Sequence, residues 1–163
     1  MITKVQEKRL PHSFAVHARP RLTPVERGML RWAAFDPEDK VLDVGVGSGV
    51  MAETLRRNML CEVCGVSDHM ECVRMARSRL QNCDIVYAQQ GDIPWREGAF
   101  DSVLMRIGAE TEDIRRRMLA EALRVLKDGG QLVLGVPCFP AHLQDSACAD
   151  SRFFRKAPLC AML

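Results

Sequence analysis

Apolar and polar positions alternate along the chain in two rhythms. Short, nearly continuous apolar runs fall at 41–44, 61–66, 85–88, 100–105 and 131–136, and several of the segments between them carry apolar residues every three or four positions. The first rhythm reads as strands buried on both faces, the second as amphipathic helices. Thr23-Pro24-Val25-Glu26 supplies an N-cap, a proline at the first helical position and a capping-box glutamate, and predicts a helix through about Phe35. Met51 to Arg57 has helical spacing, and Asp68-His69-Met70-Glu71 has the form of a second capping box that opens a helix to about Leu80. Ile114, Met118, Leu119, Ala122, Leu123 and Leu126 recur at helical steps until Lys127-Asp128-Gly129-Gly130, which is expected to stop that helix. Strands and helices therefore alternate. The expected fold class is α/β, a doubly wound, mostly parallel sheet with helices on both faces.

The chain is organised around the place where the run 41–44 meets Gly45-Val46-Gly47-Ser48-Gly49. This reads as strand, glycine turn, helix. Glycines give the backbone positive φ and let a ligand approach the main chain, while the helix start offers N–H groups to an anion. A nucleotide-like cofactor is the natural occupant. The dinucleotide fingerprint G-x-G-x-x-G puts its third position on Val50, where a branched side chain crowds the helix against the strand. A nucleotide-linked oxidoreductase is therefore the weaker reading.

Composition narrows the partners. With 163 residues, 47% of them hydrophobic and 27% charged, the chain can bury a core of its own. A net charge of +2 gives no reason to expect nucleic acid or an anionic membrane as the main partner. The cluster Arg115-Arg116-Arg117 is expected to be a solvated helix face. The first residues lack the apolar core of a secretory signal and no apolar run reaches membrane-spanning length, so a cytoplasmic location is expected. Seven cysteines, an odd number, read as thiols. Cys61 and Cys64 resemble half a zinc site, but three positions apart on a strand they point to opposite faces, and no metal is expected.

Four segments in order, Val41–Gly49, Gly65–Arg77, Gly91–Asp101 and Leu119–Pro137, resemble the class I S-adenosylmethionine-dependent methyltransferases of the small-molecule, type 11-like kind. The resemblance implies a Rossmann-like fold, S-adenosylmethionine as cofactor and a small-molecule acceptor that the sequence does not identify. It divides the chain into an N-terminal arm (1–22), a cofactor-binding core (23–137) and a short tail (138–163). Carried over by position, Asp43 with the backbone of Gly45, Gly47 and Gly49 holds the methionine moiety, Asp92 accepts from the adenine amino group, and Ile93 packs on the ring. At the second strand's end, where the family has an acidic ribose ligand, the chain has Ser67 followed by Asp68; Asp68 is either the ribose ligand or the cap of the next helix.

No catalytic group stands out. His17, His142 and Arg106 fall in segments that border the substrate in related enzymes; the histidines are candidate bases, and Arg106 either meets an acidic substrate or makes a surface ion pair. Tyr87 is expected in the core. The stretch after Pro137 is too short for the helix and two strands that the family adds after strand five, so a five-stranded core with an open edge, and a homodimer covering it, are expected. Cys160-Ala161-Met162-Leu163 has the form of a prenylation box. The competing reading is an inactive module of the same fold that binds the cofactor or serves interaction alone.

Overall fold

The computed structural model describes residues 21–136 apart from Ala109; the calls on the tail, on His17 and on His142 lie outside the described residues. Among the described residues nine elements follow one another: α1 (Pro24–Trp32), β1 (Lys40–Val44), α2 (Val50–Asn58), β2 (Glu62–Ser67), α3 (Met70–Arg79), β3 (Asp84–Tyr87), β4 (Phe100–Arg106), α4 (Glu112–Val125) and β5 (Leu126–Gly135). The five strands form one parallel sheet in the order β3-β2-β1-β4-β5. The chain builds outward from β1 to β3 on one side, then returns to place β4 against β1 on the other. The carboxyl ends of β1 and β4 therefore form the switch point, where ligands of such sheets bind.

Because successive strand residues face opposite ways, each strand feeds two cores. Val41, Val63, Ile85 and Leu104 face α1, α2 and α3, meeting Met29, Met51, Leu55, Val73 and Ala76. Leu42, Cys64, Val66, Val103 and Met105 face α4, meeting Met118, Ala122 and Val125. Cys61 joins the first core and Cys64 the second, on opposite sides of the sheet as their spacing requires. Burial raises the thiol pKa at both, to about 11 at Cys64, so these behave as small apolar side chains. Among the described residues no group of His, Cys, Asp and Glu is placed to hold a metal ion, and no helix is long and apolar enough to cross a membrane.

The structure corrects several expectations. The α1 capping box forms as its residues dictate, with Glu26 N–H donating to Thr23 Oγ1 at 3.2 Å and Thr23 N–H to Glu26 Oε2 at 2.7 Å, but the helix ends at Trp32. Tyr87 is half exposed rather than core, because it closes the edge strand β3, where only Ile85 is fully buried. Arg115 is buried, not solvated: α4 places it on the same stripe as Met118, Ala122 and Val125, with Glu112 3.3 Å away as its ion partner. The Lys127–Gly130 segment is not the stop of α4. The helix ends at Val125, Leu126 already pairs with Phe100, and the chain loops out through Gly129 at φ +76 before Gln131 rejoins opposite Ser102.

Candidate functional site

The three glycines after β1 all have positive φ, +77, +53 and +79, in the region where a Cβ is costly. Gly45 and Val46 donate their N–H groups to Val66 O at 2.9 and 3.0 Å, and Gly49 donates to Val46 O at 2.9 Å, so the turn is pinned to β2. Each glycine does something different. A Cβ at Gly45 would lie 3.6 Å from Arg106 Nη2, and one at Gly47 would point toward Gly45 O at 3.8 Å, inside the turn. At Gly49 it would meet Ala76 Cα and Leu80 Cδ1, both at 3.1 Å. Gly49 thus serves the close approach of α2 to α3, the task a dinucleotide fingerprint gives to the position now held by Val50.

Asp43 is fully buried at the centre of the sheet. Its Oδ1 accepts from Arg106 Nη2 at 3.0 Å; its Oδ2 has no hydrogen-bond partner among the described residues. The β1–β4 register sets Val44 opposite Met105, which brings the next residue, Arg106, alongside Gly45. Nη2 also donates to Gly45 O and, at 3.4 Å, to Val44 O, while Nη1 donates to Glu26 Oε1 at 3.2 Å. Arg106 is therefore no surface ion pair: about a quarter of its side chain is exposed, and it ties β4 to β1 and α1. Burial, with the charge of Glu26 adding to it, holds the Asp43 carboxyl above its ordinary range, against the pull of Arg106.

At the end of β2 neither neighbour caps the next helix. Ser67 is buried and its Oγ accepts from His69 N–H at 3.1 Å, which moves the start of α3 to Met70 with His69 at the N-cap position. The expected capping box does not form. Asp68 is not the cap; its partly exposed carboxylate stands 3.8 Å from His69 Nε2.

After β3 the chain turns through Gln89 O, which accepts from Asp92 N–H at 2.9 Å, with Gly91 at φ +90. Asp92 pairs with Arg117 of α4, and the stem of Arg117 covers Gly91. Ile93 is buried in the second core and does not line the cleft.

These ends converge on one cleft, open to solvent. Gly45, Ser67, Asp68, Asp92 and Arg106 line it together. Gln89, Gln90 and Glu110 line it as well, and the sequence reading missed them. Gln89 and Gln90 had a signal, a polar pair between a strand end and the Gly91 turn. Glu110, whose Oε2 accepts from Gly108 N–H at 2.6 Å, had none.

Residues 42–134 match the family model described as a methyltransferase domain. The chain is similar to the demethylmenaquinone methyltransferase of Thermotoga maritima, 31% identical over 97 residues that cover 59% of this chain and 42% of the relative. It is similar to the 27-O-demethylrifamycin SV methyltransferase of Amycolatopsis mediterranei, 31% identical over 140 residues that cover 80% of this chain and 50% of the relative. The crystal structure of the YcgJ protein from Bacillus subtilis superposes with a TM-score of 0.59 at 26% identity, covering 68% of this chain and 49% of that one. The chain thus spans half or less of the length of each of these proteins. With more than half of its residues inside that family model, and the glycine turn on the sheet's switch point, the chain belongs to the class I S-adenosylmethionine-dependent methyltransferases.

Proposed function

We propose that the cleft binds S-adenosylmethionine and that the protein transfers its methyl group to a small-molecule acceptor. The observation that carries this reading is the meeting of Gly45, of Ser67 and Asp68, and of Asp92, from the carboxyl ends of three adjacent strands, around one cleft; Asp43, Gly47 and Gly49 lie behind its lining. The residues fit the group. Asp43 Oδ2 is a buried acceptor without a partner among the described residues, and the positive-φ glycine turn leaves bare backbone beside it. Asp68 accepts from the ribose hydroxyls and Asp92, on exchanging Arg117, from the adenine amino group.

Bound there, S-adenosylmethionine supplies an electrophilic methyl on a cationic sulfonium. The chain's own part is to hold the reactants in line, which can lower such a barrier by several kcal/mol without a dedicated base. The relatives named for demethylmenaquinone and 27-O-demethylrifamycin SV support a small-molecule acceptor. The described thiols, all free, suit a cytoplasmic location. Calorimetry tests the cofactor: S-adenosylmethionine and S-adenosylhomocysteine are expected to bind and NAD is not, and NAD binding in their place would reject the reading.

Asp68→Ala and Ser67→Ala divide the second strand's end between binding and folding. Charged hydrogen bonds contribute about 1.5–3 kcal/mol, so Asp68→Ala is expected to weaken cofactor binding at least tenfold. Its thermal midpoint should stay near wild type, since Asp68 caps nothing. Ser67→Ala removes the acceptor for His69 N–H and is expected to cost about 1 kcal/mol of stability. A larger binding loss from Ser67→Ala would reassign the ribose contact.

We extend the proposal to assembly. No described strand pairs the outer side of β5, and a second copy is the occupant we assign to it. Light scattering should return twice the chain mass; a monomer at high concentration overturns this part.

A further inference from the structure

We propose that Arg106 determines ligand specificity in the cleft by filling the cation position of the glycine turn, which sets the site against an ammonium group while leaving its adenosine end unchanged. The inference rests on the cofactor reading above and deepens it.

Three acceptors at the end of β1, the Asp43 carboxylate, Val44 O and Gly45 O, converge on the single nitrogen Nη2 of Arg106. Carbonyl and carboxylate oxygens can only accept, so together they make a place for a cation. The amino-acid end of an adenosyl cofactor is a zwitterion. Its ammonium needs those acceptors, and its carboxylate needs donors. Arg106 already occupies those acceptors. It also lies where a side chain on Gly45 would come 3.6 Å from Nη2, against the bare backbone that a ligand approaches.

The guanidinium is held from its other side too. Nη1 donates to Glu26 Oε1 at 3.2 Å and contacts Met51 Sδ at 3.7 Å, and Glu26 is itself fixed by Thr23 N–H in the α1 capping box. Two carboxylates thus hold one arginine in the turn. A ligand's ammonium must displace Nη2 or share Asp43 through Oδ2, and either route is less favourable than entering a turn whose acceptors are free. An adenosyl ligand without an ammonium meets no such competition.

The test compares S-adenosylhomocysteine with 5′-methylthioadenosine, which keeps the adenosine and the thioether but has no amino-acid end. Both are titrated calorimetrically into the full chain as wild type, Arg106→Gln, Arg106→Lys and Glu26→Gln. Arg106→Gln is expected to tighten S-adenosylhomocysteine about tenfold and to change 5′-methylthioadenosine less than twofold. Arg106→Lys, which keeps a cation, should stay near wild type. Glu26→Gln preserves a capping-box residue type and loosens Arg106, so it should shift the same ligand the same way by a smaller factor, and it serves if Arg106→Gln does not fold. Equal shifts for the two ligands, or weaker S-adenosylhomocysteine binding without Arg106 or Glu26, would overturn the assignment of Arg106 alone. Failure of both ligands to bind any of the proteins would overturn the cofactor reading and this inference with it.

Discussion

Gly47→Val is expected to leave no measurable S-adenosylmethionine binding at concentrations that saturate the wild type. Gly47 has φ +53, where a β-branched residue is a severe outlier costing about 1–3 kcal/mol, and its Cβ would point into the turn toward Gly45 O. The methyl groups beyond that Cβ are expected to crowd the turn that the proposed ligand approaches. The control is Gly28→Ala in α1, where a Cβ meets nothing within 4 Å and helix propensity improves by up to about 1 kcal/mol. That variant should bind as wild type does and melt slightly higher. Gly135 would not serve as such a control. Its Cβ would fall 2.6 Å from Met29 Sδ and 2.7 Å from Val25 Cγ1, so a side chain there pushes on α1, the helix that carries Glu26 to Arg106. Calorimetry with circular dichroism decides the matter: a folded Gly47→Val that binds like wild type would remove the glycine turn from the site.

The alternation of elements was legible because each strand is buried on two faces and each helix on one. Those are demands on a local stretch of chain, and Val41-Leu42 or Met118-Ala122 answer them without knowing their neighbours. The Thr23–Glu26 cap was legible for the same reason. What failed was decided between elements. Arg115 opens a run of three arginines, yet α4 turns it onto the buried stripe and leaves Arg116 exposed. Tyr87 looked apolar enough for a core, but β3 proved to be an edge strand.

The site divides along the same line. Asp43, Gly45, Asp68 and Asp92 could be marked from motif and position, whereas the pairing of Arg106 with Asp43 depends on β4 lying beside β1. Strand order is a long-range property, and Glu26, 80 residues from Arg106, enters the same cluster only through the packing of α1 on that face. The choice left open at Asp68, ribose ligand or cap, is subtler. Both are good capping types, and the geometry of a single turn, with Ser67 Oγ meeting His69 N–H, decided which side chain remained available.

Asp43→Ala is expected to cost about 3 kcal/mol of folding stability, the low end for breaking a buried ion pair, because Arg106 keeps Glu26 and some access to solvent. Asp43→Asn keeps the shape and an acceptor for Arg106, and it isolates the charge. The folded protein holds the Asp43 carboxyl above its ordinary value of 3.8, since burial penalises the ionised form more than Arg106 relieves it. Folding therefore takes up a proton more readily than the unfolded chain does, and the stability this adds is complete below pH 3.8 and lost as pH rises through the folded pKa. Asp101 and Glu121 run the other way. Lys127 and Arg124 hold their carboxyls low, so their contribution is present above the ordinary carboxylate range and lost as pH falls. Those two groups are common to wild type and Asp43→Asn, and they cancel in the difference between the proteins. Urea midpoints measured from acid to neutral pH should show wild type losing ground to Asp43→Asn as pH rises from about 4. A difference that stays constant across that range would mean that Asp43 titrates as it does in the unfolded chain, and that Arg106 fully offsets its burial.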